Sequence, residues 1–271
     1  MRFAFSIIIC LSSVLLLAQQ DNYKLVWSDE FDGQGAIDST KWHHQTQLPN
    51  GVSWFNGEIQ HYTNRLTNSY VSDGTLKIVS KKEDFTDQGV TRTHTSARLN
   101  SKFAFTYGYL QIRAKLPSGT GIWPALWMLG QHIKELGGYW EPTHGAMNWP
   151  NCGEIDIMEH WGRNQNFVQS AIHNLASYGD TVNKGGQQIK TASTDFHIYD
   201  VLWTSNRISF SIDGKEHYVY EPKIKNTQTW PFDTNQYLLL NVALLPEISP
   251  SFTQSIMEID YVRIYQDPDM K

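Results

Sequence analysis

Apolar and polar residues alternate with a period of two through most of this chain. In YGYLQIRAKL, Tyr109, Gln111, Arg113 and Lys115 fall on one face while Leu110, Ile112, Ala114 and Leu116 fall on the other, the pattern of a half-buried antiparallel strand. KLVWSDEF, TLKIVSK, EIDIMEHW, FVQSAIHN, FHIYDVLWT, RISFSIDG, YLLLNVALL and MEIDYVRIY are likewise short, rich in β-branched and aromatic residues, and separated by Gly, Asn, Asp or Pro, as strands are. Asp213-Gly214 within SIDGKEH predicts a hairpin turn. There is no internal repeat, low-complexity tract or long amphipathic helix, and QHIKEL has room for one or two helical turns. The predicted fold is all-β: a curved two-sheet antiparallel β-sandwich of jelly-roll type.

Composition changes this picture at the N-terminus. MRFAFSIIICLSSVLLLAQQ has an early Arg2, an apolar run and the small Ala18 near its end, which predicts a signal peptide over residues 1–20 and a secreted or periplasmic domain over 21–271. The apolar run is shorter than the roughly 20 residues that a membrane helix needs and no basic flank follows it, so no membrane span is expected. A formal net charge of -5, without a basic run to track phosphates, argues against nucleic acid as a partner. Of the two cysteines, Cys10 lies in the signal, which leaves Cys152 without an internal disulfide partner. It reads as a small buried filler and not as a nucleophile. The remaining length suits one large core.

Candidate chemistry centres on GEIDIMEH, Gly153 to His160, where Glu154, Asp156 and Glu159 interleave with Ile155, Ile157 and Met158. On a regular strand Glu159 would point into the core with the isoleucines, where an unpaired charge costs several kcal/mol. A β-bulge around Ile157 and Met158 removes the conflict and returns Glu159 to the face of Glu154 and Asp156. Even then the outer Cα atoms are about 13 Å apart on a flat strand, so the two glutamates approach one another only on a concave sheet. Carboxyls at roughly 5 to 5.5 Å suit a retaining glycosidase, one attacking the anomeric carbon and the other protonating the departing oxygen, with Asp156 helping to keep their protonation states apart. Two other readings fit the same residues: an ordinary solvated acidic strand, and a metal site made from Asp156, Glu159, His160 and His173, although no HExxH-type spacing is present.

The aromatic content favours sugar. The chain has 10 Trp and 13 Tyr, and GIWPALWML places Trp123 and Trp127 on one strand face, where indole suits the C–H surface of a pyranose. Gln131 to Asn148, with three glycines, a proline and two histidines, reads as a long surface loop leading into the acidic strand, and such loops are often functional.

GEIDIMEH, preceded by GIWPALWML, opened by LVWSDEFDG and closed by MEIDYVRIYQ, resembles glycoside hydrolase family 16, and within it the bacterial laminarinases, which are endo-1,3-β-glucanases. The resemblance covers essentially the whole mature chain. It implies a curved jelly roll with the substrate in a concave cleft, and a retaining mechanism with Glu154 as nucleophile, Asp156 assisting, and Glu159 as general acid and base. Spacing alone does not say which glutamate does which. The resemblance further implies sugar contacts from Trp123, Trp127, His173, Arg98 and Asn56. It also implies a structural calcium on the convex face held by Glu30, the backbone of Gly74, and Asp260, a donor set that suits this cation, and no catalytic cofactor. The extra residue in the acidic strand separates the chain from the lichenase branch. The Gln131–Asn148 loop is longer than usual and is expected to close over or bend one end of the cleft. The expected partner is a β-glucan and the expected state a monomer. A mixed-linkage 1,3-1,4-glucanase, an agarase- or carrageenase-like galactanase, and a non-catalytic glucan-binding protein stay open as alternatives.

Overall fold

A computed structural model describes residues 22–269; the signal peptide expected over residues 1–20 lies outside the described residues. The strands are β1 (Lys24–Asp29), β2 (Trp42–His44), β3 (His61–Tyr62), β4 (Ser69–Ser72), β5 (Thr75–Asp87), β6 (Val90–Ser96), β7 (Arg98–Phe105), β8 (Gly108–Lys115), β9 (Ile122–Gly130), β10 (Glu154–Glu159), β11 (Phe167–His173), β12 (Lys184–Gln188), β13 (His197–Trp203), β14 (Ile208–Ile212), β15 (Lys215–Tyr220), β16 (Gln236–Leu244) and β17 (Gln254–Gln266), with one short helix, α1 (Glu141–His144). They form two sheets. One runs β15-β14-β13-β8-β17-β5-β6-β3, with β1 added on β17 and β4 on β5; the other runs β12-β11-β10-β9-β16-β7-β2. Pairing is antiparallel except for a two-residue parallel contact between β3 and β6.

The alternating pattern is realised residue by residue. Leu110, Ile112 and Ala114 of β8 join one continuous core with Ile155 and Ile157 of β10 and Leu238, Leu240 and Val242 of β16, while Tyr109, Gln111, Arg113 and Lys115 stay partly exposed. Each fully buried aliphatic side chain of this core contributes about 1.5–3 kcal/mol. β16 is buried on both faces, which explains its almost unbroken apolar run. Asp213 and Gly214 adopt φ of 52° and 74° and join β14 to β15, with Ile212 opposite Lys215, as an Asp-Gly hairpin requires.

QHIKEL is not helical. Ile133 instead forms an isolated bridge with Met147 and is buried with Leu129, Cys152, Tyr237 and Leu239. The helical turn comes later, at α1, where Pro142 occupies the first turn, a position that lacks nothing by losing its N–H. Cys152 is fully buried in that same small cluster, and burial pushes its thiol pKa up, as befits a filler. No helix among the described residues is long and apolar enough to cross a membrane.

Candidate active site

The bulge predicted in the acidic strand is present. Against β9, Asp156 pairs with Trp127 but Met158 with Leu126, so Ile157 is the extra residue. Against β11, the step from Asp156 to Glu159 spans only Ala171 to Gln169. Ile155, Ile157 and Met158 are all in the core, while Glu154, Asp156 and Glu159 line a common cleft with Trp123, Trp127 and Trp149. The cleft encloses about 300 Å³, at the lower end of the range typical for ligand pockets.

Each carboxyl has a distinct neighbour. Trp149 Nε1 donates to Glu154 Oε2 at 3.0 Å, and Trp123 Nε1 donates to Glu159 Oε1 at 3.2 Å. His173 Nε2 lies 3.1 Å from Asp156 Oδ2 and 3.6 Å from Glu154 Oε1. Burial is the first cause raising the pKa of Glu154 and of Glu159, and the Asp156 carboxyl is the second. Burial likewise pushes Asp156 up, while His173 pulls both glutamates down. Three like acids in one buried patch cannot all ionise at neutral pH. Such a patch therefore favours keeping a proton on its acids, as a general acid requires.

Behind the trio is a buried polar floor. Trp127 Nε1 donates to Asn241 Oδ1 at 2.7 Å, Asn241 Nδ2 to Tyr62 Oη at 3.1 Å, and Tyr62 Oη to Glu58 Oε2 at 2.8 Å. Arg98 is 3% exposed. It pairs with Glu135 at 2.6 Å and lays its guanidinium 4.8 Å from the Trp127 ring centroid. Arg98 thus lines the cleft and backs the Trp127 ring. Of the other expected sugar contacts, Asn56 lines the cleft in a left-handed turn, φ 54°, and His173 faces the acids on β11. Trp123 stacks on Trp161 with centroids 5.5 Å apart.

The metal set of Asp156, Glu159, His160 and His173 is not assembled. His160 is fully buried and turned away, its Nε2 accepting from the Asn166 N–H at 3.0 Å. Glu154, Asp156 and His173 do bring donor atoms within 4.8 Å of one another. At the expected calcium position, Arg263 holds the Glu30 carboxylate at 2.7 Å, Arg113 binds Asp260, and Gly74 turns β4 into β5 with φ 70°. Both carboxylates are thus neutralised by guanidinium groups, and as they stand these side chains do not fit a calcium ion.

Trp149, Trp161, Asn241 and Glu58 were not singled out by the sequence pattern. Trp149 carried a signal, as the aromatic just ahead of the acidic strand. Trp161 directly follows the acidic strand at the end of EIDIMEHW, whereas Asn241 and Glu58 come to the site from remote segments, which only the fold brings together.

The model of Glycosyl hydrolases family 16 matches residues 56–263. The chain is similar to a LamA variant from Z. galactanivorans whose crystal structure holds laminaritriose and laminaritetraose: 45% identical, TM-score 0.83, covering 90% of this chain and 99% of that one. It is 37% identical to a β-glucanase of Rhodothermus marinus over 90% of this chain and 86% of that protein. It is also 34% identical to a glucan endo-1,3-β-glucosidase A1 of Niallia circulans, of which it spans 38%.

Proposed function

Because the chain belongs to family 16 of the glycosyl hydrolases, we propose that its carboxyl trio cuts internal β-1,3-glucosidic bonds of laminarin-type glucans by a retaining mechanism. The observation that carries the reading is the bulged strand, which sets Glu154, Asp156 and Glu159 side by side in a Trp-lined cleft. Glu154 attacks the anomeric carbon as the bond to the leaving oxygen breaks, and Glu159 gives that oxygen its proton. Glu159 then takes a proton from water, which opens the glycosyl ester on Glu154 and restores the original anomeric configuration. The Trp149 N–H orients the nucleophile, and Asp156, steadied by His173, supplies the negative charge that keeps the Glu159 proton in place.

Export to the periplasm or medium and a monomeric state complete the proposal, in keeping with a polymeric substrate too large to enter a cell. Reducing-sugar release from laminarin, lichenan, curdlan, agarose and carrageenan tests it in parallel. Laminarin is expected to be cut fastest, with lichenan ranking mixed-linkage tolerance. Absence of release from every glucan by folded protein that laminarin still retards in an affinity gel would leave a binding protein.

The Asp156 carboxylate raises the pKa of Glu159, so Asp156→Asn removes a charge that holds the acid protonated. The working state needs Glu159 protonated, and activity falls as pH rises through its pKa. A lower Glu159 pKa therefore moves the basic limb of the kcat/KM profile to lower pH. A limb that stays in place or moves up would remove Asp156 from this role.

A further inference from the structure

Next to the Trp149 segment the surface opens into a second hollow of about 510 Å³ that shares no lining residue with the cleft. Met147 and Asn151, two residues to either side of Trp149 in the chain, both line it, and Met147 bridges to Ile133, which lines the cleft. The two spaces are therefore separated by the Trp149 segment and one extended stretch of the 131–148 loop. Tyr178, 51% exposed, stands edge-on to Trp149 with centroids 5.3 Å apart, so the aromatic surface of the cleft continues outward.

We propose that this hollow binds further glucosyl units of the same β-1,3-glucan main chain, past the end of the cleft marked by Glu154; the inference rests on the function proposed above. Its lining has the mixed character of a sugar site. Leu175 is 43% and Met147 38% exposed, offering apolar surface to pyranose C–H faces. His132, Asn151, Thr227 and Asp233 line the same wall, and the side-chain hydrogen bonds of the described residues leave all four available to hydroxyls. One cation, Lys225, and one anion, Asp233, face the space, which suits a neutral ligand better than a sulfated or uronic one. The walls are also set in advance. Asn174 Oδ1 accepts from the N–H groups of Ala176 and Ser177 at 3.1 Å each, fixing the turn that presents Leu175. Asn226 Oδ1 accepts from Gln228 N at 2.9 Å and Thr229 N at 3.2 Å, fixing the turn that presents Thr227. Preformed walls lower the ordering cost of binding a flexible polymer.

The test compares wild type with Thr227→Ala/Asp233→Ala on long unbranched β-1,3-glucan, on laminaritetraose and on glucan with 6-linked branches. The expected result is a kcat/KM for the long unbranched chain that falls about five- to tenfold through KM, the loss of one or two hydrogen bonds, with the tetraose unchanged. Equal kcat/KM on the long chain overturns the proposal, and a loss confined to branched glucan overturns it in favour of a side-branch pocket. A second measurement is independent of turnover: in a laminarin affinity gel, the same two substitutions on a Glu154→Ser background are expected to weaken retardation. Unchanged retardation overturns the extension even if the chain proves to be no hydrolase, whereas weakened retardation without any wild-type hydrolysis would fault the catalytic reading alone.

Discussion

Replacing Glu154 by Ser is expected to remove laminarin hydrolysis by a factor on the order of 10⁴ or more, the scale of loss when the nucleophile is taken from an enzyme that works through a covalent intermediate. Glu159→Gln is expected to cost about 10²–10⁴-fold, the usual worth of general acid–base assistance. The two variants separate further on an aryl glucoside whose leaving group needs no proton. There the first step of Glu159→Gln recovers, because only departure of the natural alcohol required the acid, and the glycosyl-enzyme accumulates as a burst. Glu154→Ser shows no burst, having no carboxylate to form the ester. A burst from Glu154→Ser and none from Glu159→Gln would reverse the roles proposed for the two residues. Both substitutions leave a polar side chain in place and remove an acid that burial disfavours in its charged form, so a loss of folding is not the expected cause of lost activity.

How far the sequence foreshadowed this site depends on the range of the interactions concerned. The bulge was legible because it is a local conflict: strict alternation would bury Glu159, and one extra residue resolves it, as the register of β10 against both neighbours bears out. The pairing of Trp123 and Trp127 on one face follows equally from a period of two. Strand β12, KGGQQ, was not legible, because two glycines weaken a strand pattern. They are there for space: a Cβ on Gly185 would meet the Tyr218 Cβ at 2.8 Å, and one on Gly186 the Val168 carbonyl oxygen at 2.4 Å. QHIKEL misled through its spacing, since the burial of Ile133 beneath the loop overrides a short helical pattern. The polar floor was hidden for another reason. Asn241 reaches Trp127 across 114 positions and Tyr62 across 179, and no local pattern carries such pairs. The resemblance supplied Arg98 as a sugar contact; the structure places it in the cleft lining, against the Trp127 ring and paired with Glu135, a partner that no local pattern announces.

That pairing sets the second large expectation, Glu135→Ala, which is expected to lower stability by about 3–5 kcal/mol, as for other buried pairs broken on one side. At this chain length that corresponds to a fall in Tm of roughly 6–20 °C. The reason is that the guanidinium cannot give up its proton and, at 3% exposure, cannot reach water; Gln45 Oε1, 3.0 Å from Nε, is a neutral partner. Arg98→Met/Glu135→Leu is expected to recover most of the loss, since it leaves no charge behind. The deficit of Glu135→Ala also has a sign with pH. Burial raises the pKa of Glu58, the Glu135 charge raises it further, and Arg98 lowers it. Without Glu135, Glu58 becomes the remaining buried acid able to balance Arg98, and its pKa falls relative to the parent protein. A folded-state pKa that is lowered contributes stability above it and loses that contribution as pH falls through it. Over the pH range in which the parent's Glu135 is ionised, the melting curves of Glu135→Ala and the parent are therefore expected to approach one another as pH rises. A deficit that does not vary with pH would show that Glu58 does not take up the role, and a shift in Tm under about 2 °C would show that the Arg98 charge reaches solvent once the loop is released.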